Sequence, residues 1–268
     1  MSGEDSQTKV RAVAAFFDLD GTLVAEPSLE RRFWRALHSS GRIPLGNYMA
    51  WIAEMLRRLP QERTVAVQSN KKYLRGIAPA EPARQDAAEW GAAEVMAMQA
   101  FRFFPEGVER VARHARQGDT IVLVTGTLEP LAVRTAAALR KELKARGCDA
   151  VVHVCATRLE EVCGRWSGKL LGEAMVGEAK ARAAERLAKQ WKLELALCSA
   201  YGNSVQDRWL LGSAGHAFAV NPSRGLRRLA RRYGWEVLRW TDESRSGREK
   251  CAARDQERAT PAYKGDVA

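Results

Sequence analysis

Cysteine and histidine are scarce in this sequence, and their few copies are not spaced as metal ligands or disulfide partners. The chain has five cysteines among 268 residues, an odd number, and no two of them form a Cys-x-x-Cys pair. A disulfide framework or a structural zinc site is therefore not predicted. The four histidines are scattered along the chain, which argues against a histidine metal centre.

The sequence also lacks a long apolar run. A membrane-spanning helix needs about 20 consecutive, mostly apolar residues, and no segment approaches that length. The first 11 residues are polar and of mixed charge, and they show no signal-peptide pattern. With 46% hydrophobic residues the chain can bury a substantial core, and we expect a soluble, cytoplasmic protein.

Acidic residues are fewer than basic ones, which leaves a formal net charge of +11. Positive potential attracts nucleic acids, anionic membrane surfaces and small anionic substrates. No nucleic-acid-binding motif and no platform of aromatic and basic residues accompanies the charge, so nucleic acid is not the predicted partner. A small anionic substrate and a peripheral membrane contact both stay open.

Short apolar runs recur along the chain with the spacing of strands that alternate with helices. The runs that predict strands cover residues 13–17, 120–124, 151–155, 195–200, 216–220 and 236–240. Most of them are separated by helical patterns, at residues 105–116, 130–146, 178–191 and 224–233. This alternation predicts an α/β fold with a doubly wound parallel sheet.

The interval from about residue 26 to residue 104 breaks this rhythm. It contains no convincing strand, and its apolar residues form three helical stripes, at residues 29–37, 48–59 and 83–103. We expect an all-helical insert that covers the carboxyl edge of the sheet as a lid. The predicted division is a core of residues 11–25 and 105–240, an insert of residues 26–104, and disordered tails at 1–10 and 241–268.

Two aspartates, Asp18 and Asp20, follow the first predicted strand and precede a Gly-Thr turn. Because side chains alternate along a strand, both carboxylates point the same way, out of its carboxyl end. Ligands bind at that end in open α/β sheets. Two like charges so close together repel each other unless a cation or a proton lies between them. The pair therefore predicts a metal ion, an acid–base role, or both.

Polar groups follow later elements of the sheet in a similar way. Thr125 and Gly126 come after the second strand, Lys180 lies in the first turn of a helix, and Asn203 and Asp207 come after the fourth strand. Hydroxyl and backbone N–H groups at a helix start can donate to phosphate oxygens, and carboxylate or amide oxygens can bind a hard cation. Each motif alone is weak, but their order places all of them near one edge of the sheet.

With these motifs in this order, the sequence resembles the haloacid dehalogenase-like (HAD) hydrolase superfamily. It looks closest to the phosphoserine phosphatase-like branch, subfamily IB type, with a helical C1 cap. The resemblance runs over residues 13–240. It implies a Rossmann-like core with an all-helical cap inserted after strand 1. It also implies a Mg²⁺-dependent phosphatase that hydrolyses a small phosphorylated metabolite through an aspartyl-phosphate intermediate.

The resemblance implies a role for each matching residue. Asp18 would be the nucleophile and a metal ligand. Asp20 would be the general acid and base, and its backbone carbonyl would also bind the metal. Thr125, Gly126 and Lys180 would bind the phosphoryl group.

The fourth motif departs from the family pattern at its metal-binding position. The usual residue there is Asp, and this chain has Asn203. An amide oxygen can still bind Mg²⁺, but the site has one negative charge fewer and should hold the ion more weakly. Asp207 matches the acidic partner near the metal and the lysine. Two alternatives stay open: a phosphatase of a lipid or isoprenoid phosphate, and a non-catalytic phosphate-binding HAD protein.

Overall fold

The structure of the protein is a computed structural model, and it describes residues 12–58, 63–78 and 101–241. The predicted tails, apart from residue 241, lie outside the described residues. The same holds for residues 83–100 of the third helix predicted in the insert.

Strands form the centre of the fold. Their bounds in the described part of the chain are β1 Ala14–Phe17, β2 Thr120–Leu128, β3 Val152–Thr157, β4 Leu159–Val162, β5 Arg165–Leu170, β6 Ser199–Gly202, β7 His216–Val220 and β8 Glu236–Leu238. Six of them form one sheet in the order β3-β2-β1-β6-β7-β8, and all five pairings in it are parallel. This confirms the predicted doubly wound α/β fold. The strand order reverses between β1 and β6, and the crevice at such a reversal is the usual ligand site.

Helices connect most of the strands of this sheet. Their bounds among the described residues are α1 Leu29–Ser39, α2 Leu45–Arg57, α3 Arg63–Ser69, α4 Pro105–Arg116, α5 Glu129–Ala145, α6 Glu178–Trp191, α7 Arg208–Ser213 and α8 Arg224–Tyr233. None of these helices is long and apolar enough to cross a membrane.

The central strand β1 is buried on both faces of the sheet, which is why it is an unbroken apolar run. Phe16 packs with Val122 and Ala200 on one face. On the other face the ring of Phe17 stacks on that of Tyr201, with centroids 4.3 Å apart. Burying each large side chain stabilises the fold by roughly 2 kcal/mol. This packing fixes the end of β1, and with it the start of the Asp-x-Asp segment.

The helices α1 to α3 lie between β1 and β2 in the chain, and α1 and α2 contribute to a separate apolar cluster. Phe33 of α1 meets the edge of the Trp166 ring, with centroids 6.4 Å apart, and Leu37 and Tyr73 belong to the same cluster. Trp166 comes from β5, which forms an antiparallel hairpin with β4. The sequence analysis did not predict this hairpin, which packs against the inserted helices.

Two predicted elements are wrong in part. Residues 195–197 form a 3₁₀ turn, and the strand begins only at Ser199, because an apolar run by itself does not distinguish a strand from a short helical turn. The third helix predicted in the insert does not extend over residues 101–103. There the chain is extended and Phe103 pairs with Val24, and Pro105 then disfavours helical geometry at the preceding residue.

Candidate active site

The predicted site residues come from four different elements that meet at the carboxyl edge of the sheet. Asp18 directly follows β1, and Asp207 lies just beyond β6. Thr125 lies in β2 at an irregularity of the pairing with β3, and such irregularities re-aim side chains. Lys180 lies in the first turn of α6. The sheet and one helix start therefore hold the group together.

Lys180 links the two ends of this group. Its Nζ donates to Oδ1 of Asp18 at 2.5 Å and to Oδ1 of Asp207 at 2.6 Å. The three residues are only 4%, 5% and 1% exposed, respectively. Burial lowers the pKa of Lys180, but the two carboxylates outweigh burial and raise that pKa above its usual value. The lysine is therefore held as a cation between two acids.

Asp18 is the more buried carboxylate of the Asp-x-Asp pair. Burial raises its pKa to about 7, against the opposing effect of the Lys180 ammonium. The hydroxyl of Thr22 donates to its second oxygen at 2.9 Å. A further cation at this position would favour the ionised, nucleophilic form of the carboxylate.

Asp20 has a separate set of partners. The backbone N–H of Leu29, at the start of α1, donates to its Oδ1 at 2.8 Å, and the hydroxyl of Thr127 donates to its Oδ2. Burial raises the pKa of Asp20, these two hydrogen bonds oppose that rise, and the nearby charges of Glu26 and Glu30 add to it. A carboxyl group with a raised pKa can hold a proton and deliver it to a leaving group. The contact of Thr127 with Asp20 was not predicted from the sequence.

Asp207 orders the loop that carries Asn203. Its Oδ2 accepts hydrogen bonds from the N–H of Asn203 at 3.1 Å and from the N–H and hydroxyl of Ser204, both at 2.8 Å. A Cβ at Gly202 would lie 2.5 Å from that of Asp207, so only glycine fits there. A Cβ at Gly21 would lie 2.0 Å from Nδ2 of Asn203. The Asn203 side chain therefore packs directly on the Asp-x-Asp turn.

The oxygen donors for a cation lie around one cavity. Asp18, Asp20 and Asn203 all line it. No group of three or more His, Cys, Asp or Glu side chains that could hold a metal ion occurs among the described residues, so a metal here would also need oxygens from a backbone carbonyl or an amide. Oxygen donors with few charges suit Mg²⁺, which keeps several of its own waters. The residues present fit this ion.

The cavity has a volume of about 530 Å³ and lies between the sheet edge and the inserted helices. Its sheet side includes the predicted residues Thr125, Gly126 and Lys180, whereas Asp207 is buried beside Lys180. Its opposite wall contains side chains that the sequence analysis did not predict: Glu30, Trp34, Tyr48, Trp51, Lys71 and Tyr73. No local pattern marks them, because they come from three separate segments of the insert.

The fold and the site define a hydrolase with a doubly wound core and an acidic site under a helical insert. The chain belongs to the haloacid dehalogenase-like hydrolases, whose family model matches residues 15–212. The predicted membership of this superfamily, in its phosphoserine phosphatase-like branch, is confirmed by that match together with the relatives below.

Curated relatives and solved structures agree with this membership. The chain is 30% identical to phosphoserine phosphatase SerB1 of Mycobacterium tuberculosis over 244 residues, which is 88% of this chain and 74% of that protein. It is 28% identical to a probable phosphatase of the same organism over 84% of this chain and 74% of that protein. A protein of unknown function from Bordetella pertussis has a TM-score of 0.63 and 25% identity, over 85% of this chain and 99% of that one. A phosphoserine phosphatase solved as a phospho-aspartyl intermediate analogue shares the fold, with a TM-score of 0.56 and 18% identity over 85% and 93%.

Proposed function

We propose that the protein is a Mg²⁺-dependent phosphomonoester hydrolase that acts on a small phosphorylated metabolite through an aspartyl-phosphate on Asp18. The enzyme class, a phosphatase of the HAD superfamily, rests on the family match and on relatives named phosphatases. The observation that most supports the mechanism is the buried contact of Lys180 with Asp18 and Asp207. Asp20 lies close by and has its own hydrogen-bond partners. We keep the cytoplasm as the proposed location.

In the first step, an oxygen of the Asp18 carboxylate attacks the phosphorus of the substrate. The bond between phosphorus and the alcohol oxygen breaks, and Asp20 delivers its proton to that oxygen. Lys180 and the hydroxyl of Thr125 offset the charge on the transferring phosphoryl group. The raised pKa of Asp20 suits this role, because the group must carry a proton near neutral pH.

In the second step, Asp20 acts as a base. It takes a proton from a water molecule, which attacks the phosphorus of the aspartyl-phosphate and releases inorganic phosphate. Asp18 is restored as a carboxylate beside Lys180. When bound, Mg²⁺ would offset the repulsion between the carboxylate and the phosphate dianion. It would be held by the Asp18 carboxylate, the Asp20 carbonyl and the Asn203 amide oxygen.

Phosphate release from an aryl phosphate tests this proposal. We expect turnover with Mg²⁺, loss of turnover with EDTA and recovery when the ion is restored. Asp18→Asn should lower kcat by at least about a thousandfold, since a nucleophile is lost, whereas Asp149→Asn changes an exposed acid outside the cavity and should leave it unchanged. Full activity in the Asp18→Asn protein would contradict the mechanism.

One surface favours a second candidate substrate, a lipid or isoprenoid phosphate met at a membrane. Four large apolar side chains on α2, Leu45, Met49, Ile52 and Leu56, are 46–80% exposed. They recur at helical spacing and form one face, and exposed apolar faces of this kind can contact membranes. Co-sedimentation with anionic vesicles at low salt would support this candidate. If the protein does not co-sediment with the vesicles, a soluble metabolite stays the proposed substrate.

A further inference from the structure

The cavity wall opposite the catalytic residues contains a second ion pair, which is partly buried. Nζ of Lys71 donates to Oε1 of Glu30, and the hydroxyl of Tyr73 donates to the same oxygen at 2.9 Å. The Lys71 side chain is only 1% exposed and that of Glu30 is 21% exposed. A buried ion pair costs desolvation and contributes little net stability. A pair that is kept on the wall of an active-site cavity therefore points to ligand recognition.

The start of α1 connects this pair to the proposed acid. The N–H of Leu29 holds Asp20, and Glu30 is the next residue of the same helix. Asp20 and Glu30 both line the cavity, so a molecule bound there can contact both residues. The alcohol that leaves from phosphorus and takes the proton of Asp20 would therefore extend along the cavity toward the Glu30–Lys71 pair.

Aromatic rings form much of the wall around the pair. Trp34 lies one helical turn after Glu30 on the same face of α1, and Tyr48 and Trp51 line the cavity from α2. The amide of Asn70 donates to the backbone carbonyl of Trp51 at 2.8 Å, which holds this part of α2 in place. Flat aromatic faces favour stacking with a flat ring of the ligand.

The pair has hydrogen-bonding capacity that its own contact does not use. An ammonium has three N–H donors, and Lys71 gives one of them to Glu30. Oε1 of Glu30 accepts two hydrogen bonds, whereas its Oε2 accepts none from the described residues. An uncharged group with a donor and an acceptor side by side could bond to both residues without separating them. A charged group would have to compete with a partner already in contact.

We propose that the alcohol part of the substrate contains an uncharged, flat nitrogen heterocycle with donor and acceptor atoms on its edge. This inference rests on the proposed phosphatase function and names the substrate class of the same site. The faces of the ring stack on Trp34 and Trp51, and its edge bonds to Glu30 and Lys71. These four residues determine specificity and take no part in the bond changes at phosphorus.

Matched substrates test the ring. With Mg²⁺ present, kcat/KM is measured for uridine and adenosine 5′-monophosphates and pyridoxine 5′-phosphate, and for the ring-free probes phosphoserine and glycerol 3-phosphate. Ribose 5-phosphate matches the nucleotides without their base. We expect kcat/KM for the best heterocyclic ester to exceed that for every probe without a nitrogen heterocycle by at least about tenfold. A hydrogen-bonding site discriminates against ligands that leave its polar groups unpaired.

Variants test the residues. Glu30→Gln should lower kcat/KM for the best heterocyclic ester by about 10- to 100-fold, mainly through KM, because a charge-assisted hydrogen bond is lost. The same variant should lower kcat/KM for ribose 5-phosphate by a smaller factor, so the ratio of kcat/KM for the heterocyclic ester to that for ribose 5-phosphate should fall by at least about fivefold. Trp34→Ala should weaken the heterocyclic ester selectively and keeps the ion pair intact. The control Glu54→Gln removes an acid on α2 that pairs with Arg57 and Arg58 away from the cavity. It should leave the ratio of kcat/KM for the heterocyclic ester to that for ribose 5-phosphate unchanged.

The outcomes separate this inference from the proposed function. If no probe releases phosphate with Mg²⁺, the proposed function fails. If ring-free or long-chain lipid phosphates are hydrolysed as well as the heterocyclic esters, or if Glu30→Gln and Trp34→Ala leave the ratio unchanged in folded protein, the substrate class is overturned while the phosphatase stands. Circular dichroism of each variant identifies any that fails to fold, and Tyr73→Phe then replaces Glu30→Gln as a milder change to the same cluster.

Discussion

Nζ of Lys180 lies 2.5 Å from Oδ1 of Asp18, although 162 residues separate them in the chain. The contact joins the start of α6 to the end of β1 and is completed by Asp207 on the other side of the ammonium. All three groups are buried, so each charge depends on the other two for its stability. The proposed nucleophile therefore sits inside a structural ion network.

Lys180→Met should reduce both activity and stability. The change leaves Asp18 and Asp207 buried without their shared cation, and breaking such a buried pair costs about 3–5 kcal/mol. We expect a lower free energy of unfolding in urea and a loss of phosphatase turnover. Lys189→Met, on the exposed face of the same helix, is the control and should have neither effect. An unchanged unfolding midpoint for Lys180→Met would contradict the role of the network.

Asn203→Asp should strengthen metal binding. The change adds a negative charge beside the oxygen donors Asp18 and Asp20, and more carboxylate charge favours a divalent ion. We expect roughly tenfold tighter binding of Mg²⁺, or about 1.4 kcal/mol, measured by calorimetry on the protein without substrate. Gln190→Glu adds the same charge on the exposed surface of α6 and should leave the affinity unchanged. Equal affinities for wild type and Asn203→Asp would place the ion elsewhere.

Thr127→Val should shift the pH dependence of catalysis. The Thr127 hydroxyl donates to the ionised form of Asp20 and lowers its pKa, so its removal should raise that pKa further. Because the first step needs protonated Asp20, the decline of kcat/KM at high pH should move to higher pH. Thr127→Ser keeps a hydroxyl and should restore the wild-type profile. A profile unchanged in Thr127→Val would argue against Asp20 as the acid.

His114 should make folding stability depend on pH. Burial lowers its pKa below the usual value near 6.5, against the effect of Asp119, and its Nε2 lies 2.7 Å from the hydroxyl of Tyr201. Above pH 6.5 the ring is neutral in both the folded and the unfolded chain, so its full contribution to the free energy of unfolding is present. As the pH falls below 6.5 the unfolded chain takes up the proton first, and this contribution is lost through the lowered folded pKa. Urea titrations at pH 7.5 and 5.5 should show a larger loss for wild type than for His114→Gln, and equal losses would refute the assignment.

Local patterns were enough to predict most elements of the core. Helix α4 begins and ends as its apolar spacing and Pro105 indicate, and β7 has the predicted bounds. The error at residues 195–197 arose where apolar residues are packed in a turn. The hairpin β4–β5 was missed because its short strands pack on the insert, and that packing leaves no strong pattern in the chain.

The site shows the same division. Asp18, Asp20 and Lys180 could be assigned to the ends of elements from the sequence, because parallel strands bring their carboxyl ends to one edge. The contact of Thr127 with Asp20 could not be assigned, since it depends on the irregular end of β2. The Glu30–Lys71 pair was also missed, because its members are 41 residues apart and neither lies in a recognisable motif.

The sequence by itself therefore determined the α/β class, the order of the strands and helices in the chain, and the acidic pair after β1. Each of these depends on spacing between near neighbours, which sets the face of a helix or strand that is buried. Only the tertiary structure decided which strands are adjacent, how Lys180 lies between two acids, and which side chains of the insert line the cavity at the carboxyl edge of the sheet. Those contacts join distant parts of the chain, so their geometry depends on how all the elements pack together.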